Sequence, residues 1–255
     1  MTIEIVEESY EQIKKDILLN IASYSEPIDS YYEDHIIDSR HYIMLMENER
    51  CGYFSIFQNE MLTQFSLYEK FWVKAQEIFR EILAKSQVKE IYLSTSDKLL
   101  LLMALDEQKG TIAQDMIFQE GIEIKRSERF FIRKAEKKDI PQIKNTDEGF
   151  FKNLEKNIEN EELFIGVDDR KVVSYGIIEK SRLFDDLASI GMFVLKEERG
   201  KGYGAFTIDN LIRECKSLAI RPIAGCFSAN QYSVNALKKA GMVSRSRLLK
   251  VKICD

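Results

Sequence analysis

The sequence predicts two mixed α/β domains in tandem, each a mostly antiparallel sheet flanked by helices. Three observations predict it. A length of 255 residues suits two domains of about 125. Apolar residues make up 45% and charged residues 31%, the balance of an ordinary globular protein, with enough Phe, Tyr, Ile and Leu for two cores. Finally, the order of elements in residues 126–255 can be laid over the order in 1–125, as an internal duplication would give.

In the first half, 3–6 reads as a strand, 10–21 as a helix and 29–40 as a second helical stretch. Strands at 41–47, 52–57 and 61–67 form a meander, with turns at Asn48-Glu49 and Asn59-Glu60. A helix at 71–85, a strand at 90–94, a helix at 97–108 and a strand at 112–119 follow. In the second half, 130–134 is a strand and a helical region runs from 138 to about 160. Strands at 163–167, 171–179 and 187–194 make the second meander. Phe206, Ile208, Leu211, Ile212, Cys215 and Leu218 then recur at helical spacing. A strand at 223–228, a short helix at 233–239 ended by Gly241, and closing strands at 242–253 complete the chain. Thr95-Ser96-Asp97 falls in the first copy where Ser228-Ala229-Asn230 falls in the second. The boundary is placed in the polar stretch 121–128, giving domains 1–125 and 126–255.

Composition narrows the function classes. Four scattered cysteines, with no CxxC and no nearby His, argue against zinc and dithiol chemistry, and no metal is expected. Both histidines, His35 and His41, lie in the first half, so any chemistry in the second proceeds without histidine. The longest apolar stretch, 99–105, is far short of a membrane span, and the acidic N-terminus is no signal peptide. A cytoplasmic protein is the expectation. Residues 1–126 carry 13 Lys+Arg against 23 Asp+Glu, and residues 127–255 carry 24 against 19. A polyanionic ligand would therefore favour the second half. Basic residues there are interspersed with acids and do not alternate with aromatics, so nucleic acid is not the expected partner.

Val194-Leu195-Lys196-Glu197-Glu198-Arg199-Gly200-Lys201-Gly202-Tyr203-Gly204-Ala205 joins the end of a strand to the start of a helix. Helix N-terminal amides lack internal partners and carry partial positive charge, alternate glycines let a ligand approach, and Arg199 and Lys201 add charge. This is a recipe for holding a pyrophosphate. A Walker loop needs Ser or Thr after Gly-Lys, and Gly202 stands there instead. A dinucleotide fold accepts Gly200-x-Gly202-x-x-Ala205 but expects an acid ending the next strand, where Ser228-Ala229-Asn230 stands.

Arg199-x-x-Gly202-x-Gly204-Ala205 resembles the acetyl-CoA loop of the GCN5-related N-acetyltransferases. Asn230-x-x-Ser233 followed by Lys239-Ala240-Gly241-Met242 is similar to that family's downstream segment. The resemblance covers residues 129–253; the first half matches only in element order, with Tyr68-Glu69-Lys70-Phe71-Trp72-Val73 where the glycine loop should be. It therefore predicts a degenerate N-terminal copy without a cofactor loop and a competent C-terminal one. The resemblance implies acetyl-CoA as acyl donor. Its pantetheine arm would lie against the backbone of Phe193, Val194 and Leu195, and its pyrophosphate on the amides of Gly200, Lys201, Gly202, Tyr203, Gly204 and Ala205. Arg199 would help to fix the loop, and Asn230 and Ser233 would bond the pantetheine or cap the next helix. Gly191 is compatible with a bulge that splays two strands.

The implied activity is transfer of an acetyl group to a primary amine of a small molecule or peptide by direct attack. Family members often carry a Tyr seven residues after the Asn; here Leu237 occupies that position. Glu179 and Tyr232 are the weak catalytic candidates that remain, with Asp185 and Asp186 as further carboxylates. Asp147-Glu148-Gly149-Phe150-Phe151 would bring acidic and aromatic groups to a cationic acceptor. The alternatives are a non-catalytic acyl-CoA-binding or sensing module and a structural protein with a vestigial loop. A homodimer is compatible with the sequence.

Overall fold

A computed structural model describes residues 2–123 and 129–254. They divide into two compact units, 1–115 with 246–255, and 116–245. The stretch 121–128, where the sequence places the boundary, lies mostly outside the described residues. The units differ from the expected 1–125 and 126–255 because the chain from Met116 joins the second unit and the last ten residues join the first.

Unit 1 opens with β1 (Ile3–Glu8), α1 (Tyr10–Ala22) and α2 (Ser30–Ile37). A capping box of Ser9 and Gln12 starts α1, whose Ile13, Ile17 and Ile21 recur at i+4 and are buried. The Asp29 carboxylate accepts the Tyr32 amide at 3.0 Å and starts α2. The helix expected at 29–40 stops at Ile37, and Arg40 already begins β2 (Arg40–Met46). β3 (Glu49–Phe57) and β4 (Met61–Leu67) follow. Glu47 and Asn48, both with positive φ, make the two-residue turn between β2 and β3, one residue before the expected position. After a 3-10 segment at Glu69–Lys74 come α3 (Ala75–Lys85), β5 (Glu90–Ser94) and α4 (Lys98–Glu107). The single helix expected at 71–85 is thus two pieces. Strand order is β1-β2-β3-β4-β5, extended by the end of β12 (Met242–Lys252), whose Leu248–Lys252 pair antiparallel with β5. Leu249 and Val251 of that strand end are buried in the unit 1 core with Phe65, Phe79 and Ile91, which is why it belongs there.

Unit 2 repeats the order: β7 (Phe130–Lys134), α5 (Ile140–Thr146), α6 (Leu154–Glu159), β8 (Leu163–Asp168), β9 (Lys171–Lys180), β10 (Leu187–Val194), α7 (Tyr203–Ser217), β11 (Arg221–Phe227) and α8 (Gln231–Lys239). The end of β6 (Ile112–Glu120) borders β11, and β10, β9, β8 and β7 follow in turn. The helical region expected at 138–160 is two short helices with a loop between them. Side chains alternate across the sheet. Ile178, Ala188, Ile190 and Ala224 pack with Ile208, Leu211, Val234 and Leu237 of α7 and α8. Tyr175, Ile177 and Phe193 pack on the other face with Ile143, Phe151 and Leu154.

Candidate functional site

β10 and β11 run parallel and pair only at Leu187↔Arg221, Ala188↔Pro222 and Ser189↔Ile223. Beyond Ser189 the strands part, while β10 stays paired with β9 as far as Val194↔Ser174. The parting leaves one side of β10 without a ladder. Leu195 donates its amide to Val173 at 3.1 Å, and antiparallel alternation turns the polar groups of Leu195 and Phe193 toward β9 and those of Val194 and Met192 into the parting. Of the three backbones expected to offer themselves to a ligand, only Val194 faces it. Gly191 carries no bulge in this register; a Cβ there would lie 3.1 Å from Cγ2 of Ile177, so packing accounts for the glycine.

The loop after β10 makes a 3-10 turn at Lys196–Glu198 and reaches α7 through two left-handed residues, Gly200 (φ 82°) and Gly202 (φ 93°). Gly202 is the N-cap of α7, and its carbonyl accepts the amides of Ala205 at 3.0 Å and Phe206 at 3.3 Å. Ala205 therefore keeps its amide inside the helix, contrary to the expectation that it serves a ligand. The amides of Tyr203 and Gly204 precede any intrahelical acceptor and point out of the helix end. Gly204 is needed for close approach: a Cβ there would lie 3.2 Å from the Ala236 Cβ of α8. The Thr207 hydroxyl lies 2.6 Å from that of Ser174, both fully buried, and this fixes α7 on β9.

The charges of the loop are already used. Lys201 donates to Glu198 at 2.8 Å, and Lys171 takes the other carboxylate oxygen. Glu198 is buried, and the hydrogen bonds from Lys171 and Lys201 hold its pKa below the usual value. Arg199 donates Nε to the Val194 carbonyl at 3.1 Å and a terminal N–H to Glu148 at 2.9 Å, with its guanidinium 5.3 Å from the Phe193 ring centre. Arg199, expected to help fix the loop, bonds the end of β10 and Glu148, and Lys201, expected to add charge, shares Glu198 with Lys171. The Tyr203 hydroxyl donates to Asp168 at 2.7 Å, a bond that pushes its pKa up to about 12, so that side chain is committed away from the loop.

Asn230 caps α8, its side chain accepting the Ser233 amide at 3.2 Å. Of the two residues expected to bind pantetheine or cap this helix, Asn230 is the cap and Ser233 supplies the amide it accepts. Leu237 is 3% exposed and part of the core, and Tyr232 is 89% exposed on the first turn of α8. Glu179 stands opposite Ser189, the last residue of β10 paired with β11, on the face that carries Ile177 and Phe193. Asp186 is taken by Arg221 at 2.9 Å. Asp147 and Glu148 do not form a cation site. Asp147 is buried and accepts the amides of Gly149 and Phe151 at 3.1 and 3.2 Å, and Glu148 is spent on Arg199. Sequence reasoning missed Glu148 and Lys171 as partners of the loop, since the pairs span 51 and 27 residues.

Unit 1 carries the same parting in closed form. β4 and β5 pair only at Met61↔Glu90 and Leu62↔Ile91. Past that point the fully buried Tyr32 places its hydroxyl 2.7 Å from the Thr63 carbonyl and 3.2 Å from the Tyr92 carbonyl. Asn20 and Tyr53 each donate to the buried Gln64 at 3.0 Å, and Tyr24 donates to Asp97 at 2.6 Å. The segment after β4 has no positive-φ residue among Tyr68–Lys74, and Trp72 donates its indole N–H to the Leu67 carbonyl at 3.0 Å. Arg199 makes the same bond to Val194 across the same five-residue interval. Asp97 caps α4 by accepting the Leu100 amide at 3.0 Å, as Asn230 caps α8; the correspondence read from the sequence is seen in the caps.

Among the described residues no three His, Cys, Asp or Glu side chains group as a metal site, and no helix is long and apolar enough to cross a membrane. Family models described as "Acetyltransferase (GNAT) domain" and "Acetyltransferase (GNAT) family" match residues 9–121 and 124–242. Among solved structures, a GNAT-family acetyltransferase from Colwellia psychrerythraea superposes with a TM-score of 0.88 at 18% identity, covering 99% of this chain and 100% of that one. A GCN5-related N-acetyltransferase from Sphaerobacter thermophilus gives 0.59 at 11%, covering 99% and 96%. A tandem GNAT protein from the clavulanic acid biosynthesis pathway gives 0.57 at 8%, covering 100% and 99%. Identities this low speak for the fold alone. A comparison with curated proteins found no match.

Proposed function

Because this chain belongs to the GNAT acetyltransferase family, with two copies in tandem, we propose that its C-terminal unit transfers an acetyl group from acetyl-CoA to a primary amine. The observation that carries the reading is the joining of two features at one place. The strands β10 and β11 part beyond Ser189, and a helix end with outward amides and two left-handed glycines closes the wide end of the parting. A thin, extended arm ending in a diphosphate fits such a site, with Val194 supplying strand-like hydrogen bonds and Gly202, Tyr203 and Gly204 supplying amides. Arg199 acts by shaping the loop, its charge paired with Glu148, while Lys201 shares the single carboxylate of Glu198 with Lys171 and leaves net positive charge beside the amides.

Acetyl-CoA would supply the acyl carbon and a thiolate leaving group, a C–N bond forming as the C–S bond breaks, the amine proton passing to a carboxylate and the thiolate taking a proton from water. An amide of β10 directed into the parting would donate to the developing negative charge. Glu179 is the carboxylate at the narrow end of the parting, on the face away from α7, and is the proposed proton acceptor from the amine. Tyr232, almost wholly in solvent, and the buried Leu237 leave the leaving-group proton to water.

Release of the CoA thiol over a panel of primary amines tests the reading. Amine-dependent release by wild type, reduced at least about tenfold by Glu179→Gln, supports it. The second reading, an acyl-CoA sensor, is favoured by Leu237 in the core where a Tyr would be a proton donor. Binding of CoA with no amine-dependent release would select it.

A further inference from the structure

We propose that Glu148 is a positioning residue. Through Arg199 it ties segment 147–151 to the loop between β10 and α7, so that filling the loop orders the face from which an acceptor amine approaches. The inference rests on the acyl-CoA reading above.

The segment lies on the face of β10 opposite α7. Phe150 packs 5.5 Å from the Phe193 ring and 5.0 Å from Phe151, and Phe151 meets Tyr175 at 6.1 Å. Its backbone is bent for this purpose. Glu148 has φ 53° and Gly149 φ 75°, and a side-chain-bearing residue in the left-handed region persists only where its surroundings over-determine it. Here the buried Asp147 carboxylate collects the amides of Gly149 and Phe151, and the resulting bend presents Glu148 to Arg199 at 2.9 Å.

Arg199 is the only side chain of the sequence Arg199–Gly202 that reaches both neighbours, bonding the end of β10 and, beyond the loop, Glu148. Gly200 and Gly202 bring no side chains, and nothing lies within 4 Å of a Cβ built on Gly200. An anion on the outward amides would hold the Gly200–Gly202 turn still. Stillness at Arg199 passes to Glu148, because the guanidinium is also seated on the Phe193 ring that Phe150 touches. An exposed ion pair contributes little to stability, so the effect is on order and not on folding.

The test is amide hydrogen exchange on the full chain, with and without saturating CoA, alongside a calorimetric CoA titration of each variant. In wild type, CoA should slow exchange across 147–151 about tenfold. Glu148→Gln removes the charge, and Glu148→Gly also relieves the left-handed strain. Both should bind CoA within about threefold of wild type yet lose the slowing at 147–151 while keeping it at the loop. Equal slowing in wild type and variants, or none in wild type that binds CoA, overturns the proposal. A wild type that binds no CoA in the titration refutes the acyl-CoA reading itself, and the proposal with it.

Discussion

The hydroxyl of Tyr32 lies 2.7 Å from the carbonyl oxygen of Thr63, inside the parting of β4 and β5. A side chain from α2 thus occupies in unit 1 the kind of space that is left open between β10 and β11. The chain is expected to bind one CoA per molecule. Tyr32→Phe keeps the ring but takes the hydroxyl from the carbonyls of Tyr92 and of Thr63, the latter keeping the Gln64 amide, at a cost of about 1–3 kcal/mol. Urea unfolding followed by Trp72, the protein's one tryptophan and a residue of unit 1, reads that loss. A calorimetric stoichiometry near two would contradict the assignment.

Gly202 separates backbone strain from crowding. Its φ is 93°, and the nearest atom to a built Cβ is Cε2 of Phe206 at 3.8 Å, so a methyl has room and only the conformation objects. Gly202→Ala should weaken CoA binding about tenfold, from the roughly 1–2 kcal/mol cost of a left-handed L-residue. Gly202→Asn should do less harm, since Asn visits that region more readily. Affinities of Ala and Asn variants in the opposite order would show that φ is not what the loop requires.

Much of this was legible in the residues, and the reasons for the rest are physical. Periodicity located the meanders and their helices. Asp97 and Asn230 announced equivalent caps because an N-cap is a local bond, three residues long. Charge partnership is not local. Lys201 and Arg199 read as charges beside glycines, yet Glu198 and Glu148 pair with them, the second from 51 residues away. The plug was hidden for the same reason, since Tyr32 meets Thr63 and Tyr92 across 31 and 60 residues. The end of β12 looked like part of the second domain; only the burial of Leu249 and Val251 with Phe65 and Ile91 assigns it to the first.

Two buried acids give unit 1 an inverted acid response. Burial pushes Asp97 and Asp29 up to about 6 from 3.8, against the hydrogen bonds each accepts. The folded form then binds protons more tightly than the unfolded chain between those values. Unit 1 should gain stability as pH falls from 7 toward 4, by roughly 1–3 kcal/mol per group. Asp97→Asn, which installs the residue found at the other cap, keeps the cap and removes one titration. Urea midpoints by Trp72 fluorescence at pH 7.5 and 5.0 should differ less in this variant than in wild type.

Glu198 responds in the opposite sense. Lys171 and Lys201 depress its pKa below 4.5, so the bonding that holds the loop is present above that value and is lost as pH falls through the lower, folded one. Thermal melts of wild type and Glu198→Gln should differ by a constant amount from pH 8 to 5 and converge as pH falls through the depressed folded value. A difference that persists in acid would mean that packing, and not charge, holds Glu198.

The central claim is that the parted strands and the glycine loop of unit 2 hold an acyl-CoA. Calorimetric titration of CoA into wild type and Gly202→Glu tests it most directly, because the substituted carboxylate meets the diphosphate position with strain and like charge together. The account predicts one micromolar site in wild type and its loss in the variant. Absence of binding in wild type, or equal binding in both, would contradict it.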